Sequence, residues 1–194
     1  QNLEKVDENT KKQFVSEIFN RAAMQPIFCR LYVRVLAHCK TVSDNIQGYI
    51  SEIISDYMEL FNTRITKISA DNYDEFCQNN KEKDYRIGYS SFIGELLDYS
   101  LVTPDVVYRF SMIIFESVKK ETELEGCSKE NVQDNIGCFK NLIMRLMKAD
   151  GDAIAELKVQ IQTSIEEYLS IGRPILRRKI GMKSIFSLED LKKL

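Results

Sequence analysis

Three prolines and eight glycines among 194 residues are too few for a sheet-rich fold, whose strands end every few residues at such turn formers. The single histidine, His38, cannot assemble a metal cluster alone. With one histidine and no nucleophile motif, no Ser–His–Asp set can be built. The glycines are isolated, so no loop is suited to cradling phosphates. No apolar run approaches the roughly 20 residues of a membrane span. No secretory signal opens the chain, and from the missing initiator Met an excerpt is expected. The five cysteines (Cys29, Cys39, Cys77, Cys127, Cys138) are odd in number and form no C-x-x-C pair. Buried or free thiols in a reducing compartment are expected, rather than disulfides or zinc. His38 beside Cys39 is no thiol pair, because sequence neighbours point to different helix faces. These gaps argue against an enzyme and against any metal or cofactor.

What remains is ordinary for a globule: 44 % hydrophobic and 29 % charged residues. A chain this long buries about 70 % of its unfolded surface and reads as one domain over residues 1–194. Charge is uneven. After residue 172, seven Lys/Arg face two acids, giving +5 and leaving −7 on residues 1–172 of a chain whose net charge is −2. Residues 173–183 hold five cations and no acid.

The organising stretch is Tyr85-Arg86-Ile87-Gly88-Tyr89-Ser90-Ser91-Phe92-Ile93-Gly94-Glu95-Leu96-Leu97. As a helix it aligns Phe92, Ile93, Leu96 and Leu97 in one stripe. Gly88 and Gly94 each cost roughly 1 kcal/mol relative to Ala, and close approach of a neighbouring helix is the expected compensation. Thr103 and Pro104 read as N-cap and first position of the next helix. Elsewhere, residues 1–12 are polar and read as frayed. Phe14, Ile18 and Ala22 begin a helix, and Gln25-Pro26 interrupts it. Phe28, Leu31, Tyr32, Val35, Leu36 and Cys39 continue on a second, making a hairpin. A third stripe runs from Ile46 through Ile53, Ile54, Tyr57 and Phe61 to Ile68. Residues 69–84 are polar and out of register. Three further stripes follow: Val106 to Val118; Val132 to Met147, capped by Ser128; and Ile154 to Leu169. Asp150-Gly151-Asp152 is a stop and restart. Pro174 opens a short basic helix that stops at Gly181, and Ser187 with Asp190 reads as a capping box for a last turn. About eight helices in short-turn pairs predict an all-α fold. An α-solenoid of antiparallel pairs and a generic helical bundle both fit the periodicity.

Ile87-Gly88, with Phe92-Ile93-Gly94-Glu95-Leu96 beginning four residues after Gly88 and then Leu101-Val102-Thr103, resembles the middle domain of eukaryotic translation initiation factor 4 gamma. Ile18-Phe19-Asn20-Arg21-Ala22, Gln25-Pro26-Ile27-Phe28 and Tyr32 are similar to a second signature of that family. Residues 49–61 resemble its second repeat. The resemblance spans most of residues 14–118. It departs at Gln25, where the family has Glu, at the short polar segment 69–84, where the family carries a longer charged insertion, and at Pro174. It implies a HEAT-like solenoid. It also implies a cytoplasmic, non-enzymatic scaffold of translation initiation, docking and activating a DEAD-box RNA helicase of the initiation factor four-A type. Other initiation factors are possible partners, and no membrane is. Related domains serve nonsense-mediated decay, cap binding and poly(A)-binding-protein interaction, which are the close alternatives. The resemblance puts helicase contacts near Phe28, Ile53 and Ile54, and Tyr57 extends that patch by one turn.

Two constellations carry chemistry of their own. Asp71 and Asp74 share the D-x-x-D spacing that holds Mg²⁺ against a diphosphate on a helix face. An isoprenoid-type enzyme would need a facing acidic partner, and Asp150 and Asp152 sit at a helix break. The basic residues Arg173, Arg177, Arg178, Lys179 and Lys183 suit RNA backbone contact by charge, weak and sequence-nonspecific. A solvated helix face explains them equally.

Overall fold

The computed structural model describes residues 6–61, 73–126, 128–149 and 152–194. Among them are nine α-helices and no strand: α1 (Glu8–Met24), α2 (Cys29–Val42), α3 (Asn45–Leu60), α4 (Tyr73–Asp98), α5 (Pro104–Glu123), α6 (Lys129–Leu146), α7 (Asp152–Leu169), α8 (Arg173–Lys179) and α9 (Gly181–Lys192). A 3₁₀ turn, Pro26–Phe28, joins α1 to α2. None of these helices is long and apolar enough to cross a membrane.

Two of the predicted caps form. Thr103 and Ser128 each accept from the backbone N–H three residues on, at 3.4 Å, and Pro104 opens α5. Three segments differ from expectation. Residues 8–12 are helical, because Asp7 caps the Thr10 amide at 3.0 Å. Glu8 then ties the new turn down by accepting from Lys11 and Asn45, each at 2.7 Å, and from the Tyr49 hydroxyl. The polar segment before Tyr85 is helical from Tyr73 onward. Neither Gly nor Pro interrupts residues 73–87, and Lys83 pairs with Asp134 of α6 at 3.0 Å. Ser187 caps nothing: it lies inside α9, which buries Ile185, Leu188 and Leu191 on one side. Asp71, Asn72, Ile65, Ile68, Cys127 and Asp150 lie outside the described residues.

α4 is the hub. It packs on α1 and α2 before it and on α6 after it; α6 packs in turn on α5 and α9, and α7 on α5 and α9. This succession of near neighbours suits a solenoid of helix pairs or a bundle of the same helices. The glycines of α4 show how tightly the hub is held. A Cβ on Gly88 would sit 1.9 Å from the Ala23 carbonyl oxygen of α1. One on Gly94 would meet the Arg145 stem of α6 at 3.1 Å. Glu95, next to Gly94, is buried and accepts from Arg145, with Arg30 of α2 at 3.6 Å. After α4 the chain turns at Ser100, in the left-handed region at φ 54°. Gln47 donates to the Leu101 carbonyl at 2.6 Å, pinning that turn to α3.

Candidate docking surface and basic end

The residues predicted to meet a helicase fall into two environments. α3 turns Ile50, Ile54, Tyr57 and Phe61 inward on one face. Ile54 is 1 % and Tyr57 4 % exposed. The Tyr57 ring stacks on Tyr89 with centroids 3.3 Å apart and meets Phe61 and Phe110 at 5.6 and 5.9 Å. Burial drives its hydroxyl pKa far above the usual phenol range. The Tyr89 hydroxyl donates to the Ile53 carbonyl at 3.3 Å, and the Ile53 side chain packs half-buried at the core margin. In this arrangement Ile54 and Tyr57 have no surface to offer a partner: α3 packs on α1 and α2, and the Tyr57 ring is spent on Tyr89 of α4 and Phe110 of α5.

Phe28 is different. It is 49 % exposed, on the turn between α1 and α2, and its ring neighbour is Tyr32 rather than any residue of α3. Around it stand Met24 at 75 %, Ile27 at 86 % and Leu31 at 56 % exposure. All four lie within eight residues of chain, across the break between α1 and α2. α2 carries more apolar residues than its inner face can hold. Cys29, Val33, Leu36 and Cys39 point inward, and Phe28 and Leu31 are left outside. Arg30 and Arg34 are exposed beside them. The Tyr32 hydroxyl donates to the Gln25 side chain at 2.9 Å, linking α2 back to the turn. Sequence spacing does not mark Met24, Ile27 and Leu31 as contacts; a stripe at helical spacing reads as core until its neighbours are known.

The basic end is divided. Arg173 pairs with Glu189 at 2.6 Å, and Lys179 donates to the Leu124 carbonyl at 2.9 Å. Arg177 and Arg178 are exposed on α8. Lys183 lies on α9, across the positive-φ Gly181, in a hollow it shares with Lys140 of α6. Two of the five cations are therefore engaged within the fold, and Lys183 lies on a different helix from the other four.

Four free cysteines, Cys29, Cys39, Cys77 and Cys138, are described. Burial pushes the Cys29 and Cys138 thiols up to about 11, and the Glu95 charge adds to the shift at Cys29. Neither is a ready nucleophile at neutral pH. Among the described residues no group of three or more His, Cys, Asp or Glu is placed to hold a metal ion. Asp74 is exposed in the first turn of α4. No protein-family profile matches the chain, and no curated protein is similar to it at a significant level.

Proposed function

We propose that the chain is a non-enzymatic helical scaffold of translation initiation that docks a DEAD-box RNA helicase of the initiation factor four-A type and raises its activity, with auxiliary contact to RNA backbone. The observation that carries the reading is the exposed apolar group Met24, Ile27, Phe28 and Leu31 on the α1–α2 turn. Single exposed apolar residues are normal, whereas four large ones crowded into eight residues at one inter-helix turn, with charged neighbours, support an interaction surface. The group coincides with the Gln25-Pro26-Ile27-Phe28 stretch where the family resemblance puts helicase contacts. The exposed Arg30 and Arg34 suit a partner with acids around an apolar centre. Activation is a population shift: the scaffold favours the helicase's closed form only by binding it better than the open form. Such a role belongs in the cytoplasm.

The test is a titration of the chain against a purified helicase of this class, with ATP turnover on RNA read in parallel. Phe28→Ala should lose about 2 kcal/mol or more of affinity, as an interface anchor does, with a melting temperature near wild type. A core phenylalanine would instead cost about 3–5 kcal/mol of stability. Ile54→Ala should weaken the fold and leave affinity per folded molecule unchanged. If the wild-type chain neither binds the helicase nor changes its turnover, the reading fails.

A further inference from the structure

α2 carries Arg30, Arg34, His38 and Lys40 and no acid, in a chain whose residues 1–172 total −7. Arg30 and Arg34 are four residues apart, so they share one face of the helix, about 6 Å apart along its axis. Both are exposed. Arg34 makes no ion pair with any described residue. Arg30 stands 3.6 Å from Glu95, a carboxylate that Arg145 already binds. Two guanidinium groups with no committed partner thus flank the exposed Leu31, just beyond the exposed Phe28.

The opposite pattern stands at the end of α5. Glu123, Leu124 and Glu125 are all exposed, Leu124 at 38 %. Neither acid makes an ion pair with any described residue, so the fold itself does not bring them to Arg30 and Arg34. Leu124 is extended, at φ −74° and ψ 143°. Residues two apart along extended backbone stand about 7 Å apart, close to the axial spacing of the two arginines. Lys179 donates to the Leu124 carbonyl at 2.9 Å, and the Ser128 amide to Glu121 at 3.3 Å. The loop is thus tied to the fold while Glu123 and Glu125 stay unpaired.

We propose that the α5–α6 loop of a second copy of this chain seats on the α1–α2 turn, with Glu123 and Glu125 meeting Arg30 and Arg34. Leu124 is the apolar residue that the loop brings to Phe28 and Leu31. Arginine forks match carboxylates, and one acidic loop offers two at the required spacing. A long polyanion or an anionic bilayer suits the turn less well, because the −7 carried by residues 1–172 repels an extended field of like charge. Turn and loop are different patches of one chain, so each copy that pairs keeps one of each free. The contact is therefore head-to-tail, growing into open chains or closing as a ring. One loop on one turn is a small contact of the weak and transient class. Self-association goes beyond the proposed function and does not depend on it. Because it uses the same turn, a seated copy and a helicase exclude each other.

The experiment is sedimentation equilibrium of the chain alone, over a series of concentrations at low and high salt. The mean mass of the wild-type chain should rise with concentration, and salt should lower it. Arg30→Glu/Arg34→Glu reverses the turn, and Glu123→Lys/Glu125→Lys reverses the loop. Each variant alone should associate about tenfold more weakly or worse, since like charges then face each other. Mixed in equal amounts, the two should regain wild-type association, because every patch again meets its opposite. If Arg30→Glu lowers the melting temperature, Arg34→Glu alone takes its place in the same mixture. A wild-type chain that stays monomeric up to about 1 mM overturns the inference and leaves helicase docking untouched. Association that the loop variant keeps, or a mixture no more associated than its parts, also overturns it. A chain that associates as described yet never binds the helicase supports the inference and removes only the proposed function.

Discussion

At Gly88 the side chain is a hydrogen because nothing larger fits. The Cβ of an alanine there would lie 1.9 Å from the Ala23 carbonyl oxygen, and backbone cannot swing aside as a flexible side chain can. Gly88→Ala should therefore destabilise the protein by about 1–3 kcal/mol or more through overpacking, although alanine is the better helix former. Gly48 provides the opposite case. It lies within α3, and a methyl group there would find nothing within 4 Å, so Gly48→Ala should stabilise by up to about 1 kcal/mol. Urea denaturation of the two variants checks both signs, and equal effects would refute the packing account. The sequence supports part of this: two glycines in one amphipathic helix point to a close neighbour. It does not say that one glycine meets backbone and the other only the Arg145 stem, because that depends on which helices adjoin.

At the scale of elements, periodicity locates the helices better than it locates their inner faces. The α6 stripe of Val132, Ile136, Phe139, Ile143 and Leu146 is buried as its spacing predicts. The α2 stripe is not, since Phe28 and Leu31 share its spacing yet face solvent. An apolar stripe looks the same whether it meets the core or awaits a partner, which is why Phe28, Ile54 and Tyr57 read alike as candidates in the sequence and differ only once their neighbours are known. Polar helices are hidden for another reason. The first turns of α1 are held by a cap and ion pairs, and the polar half of α4 by the Lys83 pair with Asp134, and neither kind of contact leaves a hydrophobic period. Glu8 makes that visible in α1. Hydrogen bonds from Lys11, Tyr49 and Asn45, the Lys11 bond foremost, hold its carboxyl at about 2, below the ordinary value of 4.5. Because the folded value is the lower one, this stabilisation is complete above about pH 4.5 and is lost as pH falls toward 2. Glu8→Gln should then differ most from wild type at neutral pH and converge with it near pH 2. Amide exchange across residues 8–12 reads the difference; a gap that widens on acidification would refute the assignment.

For the whole molecule, the question is whether the helix pairs unfold separately, as repeats in a stacked array can. One cluster of buried side chains runs from Val15 in α1 to Leu191 in α9. It is joined where α4 meets α1, α2 and α6, and where α6 meets α5 and α9. Ion pairs cross the same junctions: Arg145 of α6 reaches Glu95 and Asp98 of α4, and Lys83 of α4 reaches Asp134 of α6. With α4 and α6 each shared between both ends, neither end can lose its packing without stripping a helix the other needs. One cooperative transition is therefore expected. With no tryptophan in the chain, the two natural probes are helix content by far-ultraviolet circular dichroism and the fluorescence of tyrosines such as Tyr57 and Tyr89, which sit toward the first end. Their urea midpoints should coincide. Phe139→Ala in α6, remote in sequence from that tyrosine pair, should lower both midpoints together, by the equivalent of about 3–5 kcal/mol. Tyrosine fluorescence that holds its wild-type midpoint while helix content melts early would mean that the α5–α9 end unfolds alone, and that α6 does not couple the two ends.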